Sequence, residues 1–115
     1  MITDNLIDLI LDTLEAELTY IGMGTGAAPD AADDLLDTEV ERKACSYLRD
    51  GNTTVLDAYW DETEGNGVTY TNAGAFYDGN ASVETGHLGA GGVINAAKTN
   101  KQSLTVSIEI NVEEL

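Results

Sequence analysis

The sequence predicts a mainly β protein, an antiparallel β-sandwich of about 5–7 short strands with one N-terminal amphipathic helix. Three observations carry that reading. Apolar residues recur at helical spacing near the start of the chain. Leu104, Val106, Ile108, Ile110 and Val112 alternate strictly with Thr105, Ser107, Glu109, Asn111 and Glu113, the pattern of a half-buried strand with one solvated face. Between them, short runs rich in β-branched and aromatic residues are separated by turn signals, without the strand–helix alternation of a parallel sheet. At 115 residues the expected organisation is one domain, with residues 1–18 as the helix and 19–115 as the sandwich.

Residues 4–18 place Leu6, Ile7, Ile10, Leu11, Leu14 and Leu18 on one helical stripe and Asp8, Asp12 and Glu15 on the other face. Thr3 or Asp4 can cap the start. The stripe is wide, so it must pack on a sheet or on another subunit. Residues 17–23 begin a strand that Gly22, Gly24 and Gly26 end as a glycine corner. Pro29 follows, and residues 30–39 read as a short acidic helical turn with Leu35 and Leu36 inward. From Val40 a strand sets Val40, Arg42, Ala44, Ser46 and Leu48 on one face and Lys43, Cys45 and Tyr47 on the other. Asp50-Gly51-Asn52 is a turn. Residues 53–64 form the next strand, Gly65-Asn66-Gly67 closes it, and residues 68–77 form another short strand before Asp78-Gly79-Asn80. Residues 81–95 are small and glycine-rich, with weak strands at most.

The formal charge of −16, from 21 acids and 5 bases, is the strongest compositional signal. So few cations argue against nucleic acid and against an anionic membrane surface. There is no run of about 18 apolar residues to insert in a bilayer, and the start lacks the basic region of a signal peptide. A hydrophobic content of 43% argues against disorder. The acids are spread along the chain, which fits adaptation to high salt, where the Debye length falls to about 3 Å and surface repulsion is screened.

Candidate chemistry is sparse. Gly22, Gly24 and Ala27 fit a permissive dinucleotide fingerprint, but Asp30, Asp33 and Asp34 would repel the phosphate and no strand–helix unit follows. His87 is the only histidine and Cys45 the only cysteine, so a triad, a zinc site and an internal disulfide are not expected. The acids of 30–34 and 61–67 do not follow the calcium-loop pattern. Neither a catalytic residue, a cofactor nor a metal is expected. Glu39 and Arg42 read as a structural bridge, and Trp60 with the tyrosines as core or interface anchors.

The stretch 18–43, LTYIGMGTGAAPDAADDLLDTEVERK, resembles a segment of tailed-virus tail, baseplate and fibre-base structural proteins. Matching positions are Ile21, Gly22, Gly24, Thr25, Gly26, Pro29, Asp33, Leu36, Glu39, Val40 and Arg42. Gly74, Phe76 and Asp78 are similar to a later element of that family, and residues 96–110 to its closing strand. The resemblance spans about residues 18–112; the extreme acidity and Ala75, where Leu is usual, depart from it. It implies a non-enzymatic, homo-oligomeric virion module that joins other virion proteins, here from a virus of a halophilic, archaeal host. The expected interface and structural residues are Leu6, Ile10, Leu14, Gly22, Gly24, Gly26, Glu39, Arg42, Trp60 and Phe76. The alternatives are a head-surface decoration or turret protein, and a soluble calcium- or glycan-binding module using Tyr59, Trp60, Tyr70 and Tyr77.

Salt adaptation predicts that the thermal midpoint rises between about 0.1 M and about 3 M KCl, because screening removes carboxylate repulsion. Equal midpoints in calorimetry at the two concentrations would show that the acidity is not a salt adaptation.

Overall fold

Thr3 opens the helix: its Oγ1 accepts the Leu6 N–H at 3.3 Å and caps α1 (Asp4–Glu17). The computed structural model describes residues 1–113. Seven strands follow: β1 (Tyr20–Gly24), β2 (Glu39–Ala44), β3 (Ser46–Asp50), β4 (Thr53–Trp60), β5 (Val68–Tyr77), β6 (His87–Lys98) and β7 (Leu104–Asn111). They form two antiparallel sheets, ordered β2-β1-β5-β6 and β3-β4-β7. The fold is therefore the predicted helix-plus-sandwich.

Strand alternation builds the core between the sheets. Ile21 and Met23 of β1 and Ala73 and Ala75 of β5 meet Leu56, Ala58 and Trp60 of β4 and Val106 of β7. Trp60 is only 1% exposed, so it is a core residue and not an interface anchor. The terminal strand keeps its predicted alternation, with Val106 buried and Thr105, Ser107 and Glu109 exposed.

The helix lies against β4. Leu11 is fully buried and Leu14 packs on the core, but Leu6 and Leu9 are 42% and 61% exposed. The acidic face is not simply solvated. Arg49, opposite Thr54 on β3, reaches the helix: Nε and Nη2 donate to Glu15 and Asp12 at 2.9 and 2.7 Å, and Nη1 lies 3.6 Å from Asp8. Thr54 Oγ1 donates to Glu15 at 2.7 Å. Acids at i, i+4 and i+7 thus converge on one arginine from the neighbouring layer.

Three local expectations give way to tertiary structure. The strand read through residues 40–48 is two strands in different sheets. The chain changes sheet at Cys45, whose N–H donates to Thr19 O at 2.9 Å and whose thiol donates to Leu18 O at 3.3 Å. Residues 30–38 form turns and bends, not a helical turn, and Glu39 already begins β2. Asp30 and Asp33 take the nearby amides with their side chains: Ala32 N–H donates to Asp30 Oδ1, and Asp30 N–H to Asp33 Oδ2, both at 2.9 Å. The glycine-rich stretch beyond residue 86 contains most of β6, the longest strand, paired along β5 with two register shifts. Its small residues fit because bulges and a close covering loop need them.

The Arg49 bridge makes a pH signature. Arg49 hydrogen bonds, helped by Thr54, hold the Glu15 carboxyl below its ordinary value of 4.5, against the opposing effect of burial. A depressed carboxylate stabilises the fold above its unfolded value, and that contribution is lost as pH falls through the folded value. Urea midpoints of Arg49→Met should lie below wild type at pH 7, and the gap should close as pH falls below about 4.

Candidate functional site

Thr38 adopts φ +54° and turns the chain into β2. The β1–β2 register then shifts: Met23 pairs with Glu41 and Gly24 with Glu39, leaving Val40 as an extra residue. In a regular strand, residues 39 and 42 would face opposite sides. The bulge brings both onto the outer face of the first sheet, the face turned away from the core.

There they form a buried bidentate pair. Arg42 Nε donates to Glu39 Oε2 at 2.7 Å and Nη2 to Oε1 at 2.8 Å, with both side chains 0% exposed. The guanidinium lies 4.0 Å from the Phe76 ring centroid. Gly22 sits beneath: a Cβ there would stand 2.1 Å from Glu39 Oε2, so only glycine fits. None of Gly22, Gly24 and Gly26 has positive φ; close approach explains them. Gly24 is the last residue of β1 and Gly26 lies just beyond it, at the strand end, while Gly22 lies within the strand.

The pair fastens one of two loops that cover this face. Arg42 Nη1 donates to Thr85 O at 2.8 Å, Thr85 Oγ1 at 2.9 Å and Asn80 O at 3.3 Å; Glu39 Oε1 accepts the Glu84 N–H at 2.8 Å. Residues 78–86 are thereby held over the sheet. The loop of residues 25–38 is held from β5 by Asn72, whose Nδ2 donates to Asp37 O at 2.9 Å and Ala27 O at 3.0 Å. Thr71 Oγ1 donates to Gly26 O at 2.7 Å, and Asp37 accepts the Ala27 N–H at 3.0 Å. Leu36 is buried under this loop and reaches toward Gly74, as does Leu88.

Six of the ten sequence-predicted residues therefore meet here: Gly22, Gly24, Gly26, Glu39, Arg42 and Phe76. Trp60 lies in the core, and Leu6, Ile10 and Leu14 lie on the helix. Sequence reasoning missed Asn72, Asp37 and Thr85, which have no local signature, and Arg49, whose rarity in so acidic a chain was the available signal. His87 opens β6, about half exposed, with Nδ1 2.6 Å from Asp34 Oδ1.

Sealed from solvent, Glu39 and Arg42 can neither bind a solute nor exchange protons with one; their chemistry is anchoring. The aromatic platform does not assemble, because Trp60 and Tyr70 are buried while Tyr59 and Tyr77 stand on different sheets. Among the described residues, no three acids, histidines or cysteines converge on a metal position. Asp61 accepts from Thr63, and Glu64 from the Asp61 N–H and Lys43. Burial raises the Cys45 thiol above its ordinary pKa, so it is a poor nucleophile. No known protein family matches the chain, and no curated protein matches it significantly.

Arg42→Met should destabilise by about 3–5 kcal/mol by leaving Glu39 buried and unpaired, and adding Glu39→Leu should restore much of the loss. Gly22→Ala should cost about 1–3 kcal/mol through overpacking. Denaturant melts measure all three; an Arg42→Met variant as stable as wild type would show that the pair is not the anchor.

Proposed function

We propose that the protein is a non-enzymatic structural component of a tailed-virus particle from a halophilic host, one that self-associates and joins other tail or baseplate proteins. The carrying observation is the exposed apolar row on α1, Leu6 and Leu9, on a chain of net charge −16. Such surface on an acidic, salt-screened protein suits burial against another subunit. Next to it, Leu14, Leu18, Tyr77, Ala90 and Ile110 line a largely apolar groove of about 420 Å³. The tail-protein-like segment also supports the reading. Glu39 and Arg42 hold the 78–86 loop, and Asn72 and Thr71 the 25–38 loop, in fixed positions without offering a reactive group, which suits a module that presents surfaces for assembly.

Mass spectrometry of purified particles should find the chain at stoichiometric abundance, and light scattering at about 3 M KCl, where charge is screened, should give a mass above the monomer. Absence from purified particles rules the reading out. Leu9→Glu, on the exposed row, should lower the solution mass while leaving the thermal midpoint within about 3 °C, as for an ordinary surface change.

A further inference from the structure

The two sheets are unequal. The first has four strands and the second three, with β6 and β7 as edge strands, and among the described residues no strand pairs with the far side of β7. A seam opens between these two edges. At one end it is lined by Gly91, Gly92, Val93 and Ile94 of β6 and Val106 and Ile108 of β7. At the other it is lined by Gly89 and Ala90, Ile110, and Leu14 and Leu18 of the helix region. Ile94, Ile108 and Ile110 pack on the core but stay only partly buried, and beside them Gly92 has open space where a side chain would be.

The four sheet edges differ. β2 carries Glu41 and Lys43 and its bulge, and β3 carries Arg49 and Asp50. β6 is uncharged from Leu88 to Ala97, but its ladder is broken twice. Charges and bulges are the ordinary protections of an edge. β7 has neither in quantity: it pairs with β4 without a register shift from Thr53↔Asn111 to Trp60↔Leu104, and Glu109 is its one charged residue. The phase of that ladder is set by the Val112 N–H, which donates to Asn52 O at 2.9 Å. Even-numbered residues therefore turn their backbone groups to β4, while Thr105, Ser107, Glu109 and Asn111 present theirs to the empty side.

We infer that the seam receives an extended segment of a different virion protein, which adds to β7 as the fourth strand of the second sheet. This rests on the proposed structural role and names the surface through which the chain joins its neighbours. Backbone pairing with the four outward residues supplies the ladder bonds, and alternate side chains facing inward meet Ile94, Val106, Ile108 and Ile110. Those inward positions must be apolar. The outward positions lie beside Glu109 and Asp57, on the solvent face of the sheet, and suit lysine or arginine. A second copy of this chain fits less well, because its own β7 segment offers Glu109 and no cation to meet Glu109 and Asp57.

Hydrogen exchange on the chain in intact particles and on the isolated chain at equal salt tests the inference. The Thr105, Ser107, Glu109 and Asn111 amides should exchange at least about tenfold more slowly in the particle. Unchanged exchange there, with the chain present in the particle, overturns this inference alone; absence of the chain from particles removes the structural role as well. Gly92→Cys in a Cys45→Ala background, carrying a photo-cross-linker at a position where an added Cβ meets nothing within 4 Å, should attach to a segment of another virion protein. Attachment to a second copy of this chain overturns the choice of partner. Ser107→Pro removes an outward N–H without touching the β4 ladder and should reduce incorporation at least about tenfold; Gly92→Glu, where an added Cβ meets nothing within 4 Å, does the same by charging the seam.

Discussion

The arrangement depends on one constraint: a carboxylate and a guanidinium are buried together on the outer face of a sheet, directly over a glycine. A buried pair of this kind is neutral to stability only when every lone pair and proton finds a partner. Glu39 and Arg42 meet that condition by bonding each other and then the backbone of residues 80–85. Satisfying the pair therefore positions a loop. Gly22 beneath, Phe76 alongside and the Val40 bulge beside it all follow from the need to seat these two side chains on one face.

The molecule thus has two packed layers of different character. Between the sheets the packing is apolar and built on Trp60, Leu56, Ile21 and Met23. Outside the first sheet it is partly polar, directional, and roofed by loops 25–38 and 78–86. The polar layer gives what apolar contact does not: a fixed geometry for long connections that would otherwise be mobile. Loops held in this way can present acids and apolar seams in register to a neighbouring chain. Arg49 acts in the same manner at the helix, where three acids of α1 share the one cation that the second sheet offers.

Legibility followed the range of the interactions. Helix α1 and strand β7 were readable because their periods are local and their faces are bounded by solvent. Turns at residues 50–52, 65–67 and 78–80 were readable because positive φ at Gly51, Gly65, Gly67 and Asp78 needs residues that tolerate it. Strand β6 was not readable, since small residues carry no alternation and its place depends on β5 and on the loop over it. The split at Cys45 was equally hidden: the pattern is continuous through it, and only the competing pull of two sheets divides it. At the site, Glu39, Arg42, Gly22 and Phe76 could be singled out, but Asn72 and Thr85 act across 35 residues or more and leave no local mark.

By itself the sequence determined the class of the fold, the helix and its cap, the solvated face of the last strand, and a strongly acidic net charge. These are set by periodicity, propensity and net charge, which need no knowledge of neighbours. The tertiary structure decided which sheet each strand joins, which acids are anchored and which are free, and that β7 has an open edge beside an apolar seam. Those outcomes rest on contacts between residues far apart in the chain, where a one-residue bulge moves a side chain from one face of a sheet to the other.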